Sequence, residues 1–257
     1  KWGINAVYRG NPLLDSISGY PYLKESKEEY IKRTVDKRVI LSNSGLKEKA
    51  TIACLAGSRK TEISYLLPRI VQTAVAMQEY KFILACAPAI ETEYYKKIIF
   101  SELQNSLKNR HNVSGKTSTI ENLCNLEMVS GETYSVILNA DAAIISSGTA
   151  SLETALLGTP QVVCYGGSEI SFAIAKHFVK LKYISLANLI LNKQIFKELL
   201  QHNCTPATIS AELLKILNDK TYRATMLGDY EEVRIELGGK GASGRIAEAM
   251  IEELNKQ

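Results

Sequence analysis

Residues 142–160 read AAIISSGTASLETALLGTP. The first four are apolar and fit a buried strand that ends at Ile145. Ser146, Ser147, Gly148 and Thr149 then turn the chain into a helix, Thr149–Leu157. Gly158 terminates that helix and Pro160 follows it. Such a turn aims free backbone N–H groups and the positive helix end at one spot outside the strand's carboxyl end. Gly148 lets the backbone approach a ligand closely, and the hydroxyls of Ser147 and Thr149 add donors. A phosphate or diphosphate fits there. A plain N-cap in a β-α unit is the alternative. Two details favour the ligand: three hydroxyl or glycine residues stand where one cap would do, and Glu153 lies four residues after Thr149, not the three of a capping box. Its carboxylate is then available to a ribose diol, which offers two donors to one acceptor group.

Working outward, ACLAGSRKTEI at 53–63 repeats the design. Thr51–Ala56 is a strand, Gly57-Ser58-Arg59 breaks it, and Ile63, Leu66, Leu67, Ile70, Val71 and Ala74 follow helical spacing. Arg59 contributes a fixed planar cation suited to phosphate oxygens. Pro68 is expected at the first position of the main helix, after a short turn over 61–67. Further strands are expected at Lys81–Ala87, at Met128-Val129 as a short edge strand, and at Gln161–Tyr165. A short strand at residues 6–10 precedes a polar connector with a helical piece around Lys24–Arg38. Helices are expected at Glu91–Leu107, Tyr134–Ala140, Ile170–Val179, Gln194–Gln201, Thr208–Asn218, Lys220–Leu237 and, after the glycine-rich break GGKGASG (238–244), Arg245–Asn255. Continuous apolar strands alternating with helices define an α/β fold: a Rossmann-like parallel sheet with helices on both faces. In such a sheet, ligands bind at the carboxyl ends of the strands. Both glycine loops occupy that edge and can grip one nucleotide diphosphate together.

Composition sets the outer limits. The 257 residues are 46% apolar and 23% charged, with a net charge of +4, ordinary for a globular protein and too mild a charge to argue for nucleic acid. The five cysteines form no C-x-x-C pair and three lie in strand-like runs, which reads as buried thiols. The three histidines have no zinc spacing, so no metal and no cofactor is expected. No apolar stretch reaches the ~18 residues that span a bilayer. Asp141 reads as a turn residue, Tyr165-Gly166-Gly167 as either a site loop or a turn, and Asn188 as either a loop cap or a substrate contact. Glu198 and Gln201, three apart, are expected on one helix face.

The motifs are similar to those of the lipid A disaccharide synthase family, glycosyltransferases of the two-Rossmann-domain GT-B type. SSGTASLETALLGTP (146–160), YRGNPLLD (8–15), LAGSRKTEISYLLP (55–68), KYISLANLILNKQIFKELLQ (182–201) and GGKGAS (238–243) resemble family segments in family order. The resemblance implies the carboxy-terminal, donor-binding half of an enzyme that moves 2,3-diacylglucosamine from UDP-2,3-diacylglucosamine to 2,3-diacylglucosamine 1-phosphate, with inversion and without metal. It implies peripheral attachment at the cytoplasmic face of the inner membrane of Gram-negative bacteria, and leaves homo-oligomerisation open.

Carried over by position, Gly57, Ser58, Arg59, Ser147, Gly148 and Thr149 face the diphosphate and Glu153 takes the ribose. Asn188 falls near the active site and is the one catalytic candidate here; Glu198 and Gln201 match a family helix as substrate-binding residues. Ala56 and Ala187 replace family prolines, and Asn192-Lys193 stands where many members have Gly-Arg. The implied division is residues 1–20 as the end of an amino-terminal domain and connector, 21–237 as the donor domain, and 238–257 as tether and final helix. The catalytic base is expected on the amino-terminal domain, which makes a fragment that binds donor without completing transfer the expectation for this chain. The alternatives are an isolated UDP-sugar-binding module, or another UDP-GlcNAc-type enzyme such as an epimerase or the peptidoglycan glucosaminyltransferase.

Overall fold

The computed structural model describes residues 7–42, 49–114, 119–166 and 182–255. Among the described residues, seven strands form one sheet: β1 (Arg38–Ser42), β2 (Thr51–Leu55), β3 (Lys81–Cys86), β4 (Asn125–Ser130), β5 (Ala142–Ser146), β6 (Gln161–Tyr165) and β7 (Glu198–Leu200). Their spatial order is β1-β4-β3-β2-β5-β6-β7. All pairs are parallel except β1 with β4. From β2 the chain proceeds to β3 and β4 on one side; from β5 it proceeds to β6 and β7 on the other. The reversal of strand order therefore falls between β2 and β5, where a ligand crevice opens in such sheets.

The described α-helices are α1 (Leu13–Ser18), α2 (Lys27–Thr34), α3 (Lys60–Ala76), α4 (Thr92–Ser114), α5 (Thr133–Leu138), α6 (Thr149–Leu157), α7 (Leu186–Ile190), α8 (Pro206–Asn218), α9 (Lys220–Glu236) and α10 (Ala242–Leu254). One layer joins α3 to α4 and α8; the other joins α6 to α1, α5, α7 and α9. The central strands β2 and β5 are buried along their whole length, as expected of a sheet covered on both faces. All six apolar positions expected on the α3 stripe are buried, the five larger side chains each stabilising the fold by about 1.5–3 kcal/mol. The five cysteines are free and buried.

Several elements differ from expectation. Residues 7–10 form no strand; Tyr8 instead donates to Leu237 O at 2.8 Å, and Arg245 Nε donates to Arg9 O at 3.0 Å. The helix expected over 24–38 is shorter, opening at a Ser26 capping box and ending at Thr34. The chain then enters β1, which the polar connector concealed. β4 is consequently an interior strand of six residues, not a short edge. Its buried Glu127 is held by Arg38 of β1 at 2.8 Å and by Lys81 of β3 at 2.7 Å, so its charge is compensated from both sides.

Helix α3 begins at Lys60 and carries Pro68 in its interior. The N–H that proline lacks would have bonded Ser64 O, and Ser64 is exposed, so water can take over that carbonyl. Helix α4 runs on to Ser114, and α10 starts at Ala242, three residues before the expected Arg245. The helix expected at 194–201 is absent: β7 pairs there with β6. The helix expected at 170–179 lies outside the described residues. Asp141 is a turn residue at the opposite edge, accepting from Thr51 N at 2.8 Å. Asp15 accepts from Gly241 N at 2.6 Å and Ser243 N at 2.8 Å, which fastens the glycine-rich turn and the start of α10 to α1. Those two amides hold its carboxyl below its ordinary pKa.

Candidate donor site

The loops after β2 and β5 meet at the point where strand order reverses. Leu55 pairs with Ile145 in the sheet, so the two loops leave adjacent strands, about 4.8 Å apart, at the same level. Between them lies a cleft of about 470 Å³. Its wall includes Gly57, Ser58, Arg59 and Glu62 from one loop and Ser147, Gly148, Thr149 and Glu153 from the other, with Pro88 and Thr133 beside them. Seven sequence-derived candidates are thus brought to one concavity. A larger groove, of about 680 Å³, lies between residues 7–10 and α10; Val7, Ile246, Ala249, Met250 and Leu254 line it together with Tyr8, Arg9 and Glu253, and none of the sequence-derived candidates reaches it.

The two loops are built alike and filled differently. Gly148 has φ +141° and a side chain there would meet nothing within 4 Å. No side chain caps α6; Ser147 N donates to Cys164 O at 3.2 Å and Ser151 N to Gly148 O at 3.3 Å, which leaves the N–H groups of Gly148, Thr149 and Ala150, all on the cleft wall, for a ligand. Ser151 Oγ donates to Gly148 O at 2.8 Å and fixes the turn from below. At the other loop Gly57 has φ +118°, and a Cβ on it would stand 2.5 Å from Glu62 Cβ and 2.6 Å from Glu62 Oε2. Glu62 Oε2 accepts from Ser58 N at 2.9 Å and Arg59 N at 3.3 Å, and Glu62 Oε1 lies 3.6 Å from Arg59 Nη1. Arginine carries no acceptor, so only the glutamate half of a capping box forms. The Arg59 side chain is 80% exposed, reaching into solvent over the cleft.

Glu153 behaves as its spacing indicates. It bonds no amide of its own helix and instead accepts from Tyr134 Oη at 3.2 Å. Burial pushes its pKa up, and the Tyr134 hydrogen bond offsets part of the rise. Burial, reinforced by the Glu153 charge, pushes the Tyr134 phenol up to about 12. Tyr134 is packed edge-on against Tyr20, with ring centroids 5.3 Å apart.

Asn188, Glu198 and Gln201 do not line this cleft. Asn188 is fully buried; its Nδ2 donates to Glu198 Oε1 at 2.9 Å and its Oδ1 accepts from Ile195 N at 2.8 Å. Glu198 sits on β7, not on a helix, and accepts from Ser185 N at 2.8 Å and Ile184 N at 3.1 Å. Gln201 follows β7 with φ +48°, and its carbonyl accepts from Tyr65 Oη at 2.9 Å. Together they hold residues 184–203 against the end of the sheet. The Tyr65 ring also covers Gly166, where a Cβ would lie 1.8 Å from Tyr65 Cζ; this reads Gly166 as a packing glycine. Gly167 lies outside the described residues.

Glu62, on the cleft wall, and Tyr134, which donates to Glu153 from behind it, carried no functional expectation. Glu62 was legible: it stands three residues after Arg59, at capping-box spacing. Tyr134 was not, because it meets Glu153 from a separate helix.

Residues 1–251 match the family model for lipid-A-disaccharide synthetase. The chain belongs to the lipid-A-disaccharide synthetase family. A lipid-A-disaccharide synthase from Sulfurihydrogenibium sp. (strain YO3AOP1) is 32% identical over 254 residues, covering 97% of this chain and 60% of that protein. One from Syntrophus aciditrophicus (strain SB) is 30% identical over 259 residues, covering 99% and 59%. The chain thus spans about 60% of the length of these family members. Among solved structures, a protein described as a UDP-N-acetylglucosamine 2-epimerase from Listeria monocytogenes superposes with a TM-score of 0.56 at 11% identity, over 96% of this chain and 52% of that one. Sucrose-phosphate synthase from Thermosynechococcus elongatus gives 0.53 at 12%, over 96% and 52%. At such identities the likeness is one of fold, whereas the sequence match separates this family from the epimerases that share it.

Proposed function

We propose that this chain carries the donor site of an inverting glycosyltransferase that moves 2,3-diacylglucosamine from UDP-2,3-diacylglucosamine to 2,3-diacylglucosamine 1-phosphate. The observation that supports this most is the single cleft in which both glycine loops converge at the strand-order reversal. In the reaction an acceptor hydroxyl oxygen attacks the anomeric carbon and the bond from that carbon to the β-phosphate oxygen breaks. The electron pair goes to the departing UDP, and the acceptor's proton goes to a base. Charge grows on the diphosphate as the bond breaks. Arg59 and the amides at 57–59 and 148–149 are donors at that place, able to stabilise the leaving group as its charge develops. Glu153 takes the ribose diol, steadied by Tyr134. Asn188, Glu198 and Gln201 contribute by holding the 184–203 segment. No cofactor or metal is needed.

Both substrates are diacylated, so peripheral attachment to the cytoplasmic face of the inner membrane belongs to the proposal. Among the described residues no helix is long and apolar enough to cross a membrane. Calorimetric titration tests the site. UDP is expected to bind, and Arg59→Ala to weaken it by about 10- to 100-fold, the loss of charge-assisted hydrogen bonds to phosphate, while leaving uridine binding unchanged. Equal UDP affinity in the two proteins would overturn the assignment.

A further inference from the structure

Glu62 occupies the donors that the diphosphate needs. Its carboxylate accepts from the Ser58 and Arg59 amides at 2.9 and 3.3 Å and lies 3.6 Å from the Arg59 guanidinium. It also presses on Gly57, whose missing side chain leaves the space it fills. A carboxylate oxygen and a phosphate oxygen make the same charge-assisted bonds with the two amides, and both cannot hold them at once; the guanidinium, 80% exposed, has donors for either. The loop at 147–149 has no such internal anion.

We propose, on the donor-site reading above, that Glu62 is an internal competitor for the diphosphate subsite. In the empty site its carboxylate neutralises the amide cluster and Arg59. An arriving nucleoside diphosphate displaces it, and it returns when UDP leaves. Glu62 therefore sets the affinity for donor and product without contacting the sugar. Because only the phosphates compete, its effect is the same for a nucleoside diphosphate and for inorganic pyrophosphate.

The test compares the 257-residue chain with Glu62→Gln, which keeps the shape and one acceptor but not the charge. Titrations with UDP and with inorganic pyrophosphate should both tighten, by about tenfold given the partial exposure of the pair. In the absence of ligand the variant should melt a few degrees lower, because the amides lose a charged partner. A gain in affinity alongside a loss of stability distinguishes a competitor from a plain helix cap. Unchanged or weaker binding of both ligands would overturn the inference and leave the donor site standing. If neither protein binds UDP or pyrophosphate while circular dichroism shows both folded, the donor-site reading fails and the inference falls with it.

Discussion

The loops after β2 and β5 have the same parts: a buried strand, a glycine at positive φ, hydroxyl or amide donors, a helix start and a glutamate in the first turns. They differ in where that glutamate stands. Glu62 is three residues past its helix cap and folds back onto the amides. Glu153 is five residues past Gly148 and turns away to Tyr134. A shift of two residues along a helix is about 200° of rotation, enough to move a carboxylate from the helix end to its flank. One loop is thus closed by its own carboxylate and the other is not. Similar glycine motifs in a sequence do not imply similarly bonded amides in a structure.

Exchanging the two glycines breaks the comparison most sharply. Gly57→Ala combines positive-φ strain with a collision against Glu62 Cβ, and should cost about 2–4 kcal/mol of stability. Gly148→Ala carries the strain alone, because its Cβ meets nothing, and should cost about 1–2 kcal/mol. Urea denaturation measures both. Equal losses would mean that Glu62 does not sit over Gly57 as described.

A smaller effect sharpens the contrast at the open loop. Glu153→Gln should weaken UDP by about 1 kcal/mol, close to fivefold, through loss of a charged acceptor, and leave pyrophosphate binding unaltered. Burial raises the Glu153 pKa above its ordinary 4.5. The folded chain therefore holds this proton more tightly than the unfolded one. The group's favourable contribution to stability is complete below 4.5 and is lost as pH rises through the raised value. Its charged form, the better acceptor for a diol, appears over that same rise. UDP affinity should accordingly increase with pH through the raised value in the wild type relative to Glu153→Gln. Parallel pH profiles for the two proteins would remove Glu153 from the ribose.

The sheet core and both glycine loops were legible because unbroken apolar runs and glycine punctuation are local signals. β1 was not: Arg38–Ser42 has only two buried residues, Leu41 and Ser42, and its partner lies more than eighty positions away. β7 was misread because Glu198-Leu199-Leu200 favours helix locally and is overridden by pairing with β6. That same misreading put Glu198 and Gln201 on a common helix face. Asn188, read as a loop residue, lies inside α7; its burial, and hence its bonds to Glu198 and Ile195, depend on how 184–203 folds back. That Glu153 does not fold back onto its own helix amides was legible from spacing alone. The identical spacing argument, applied to Glu62, finds the carboxylate that fills the opposite loop.

The central claim is that both loops grip one diphosphate. The backbone amide signals of Gly57, Ser58, Gly148 and Thr149, followed by ¹⁵N-resolved NMR during a UDP titration, test it most directly. The account predicts that all four shift together along one saturation curve. Movement confined to a single loop, or two curves with different midpoints, would contradict it.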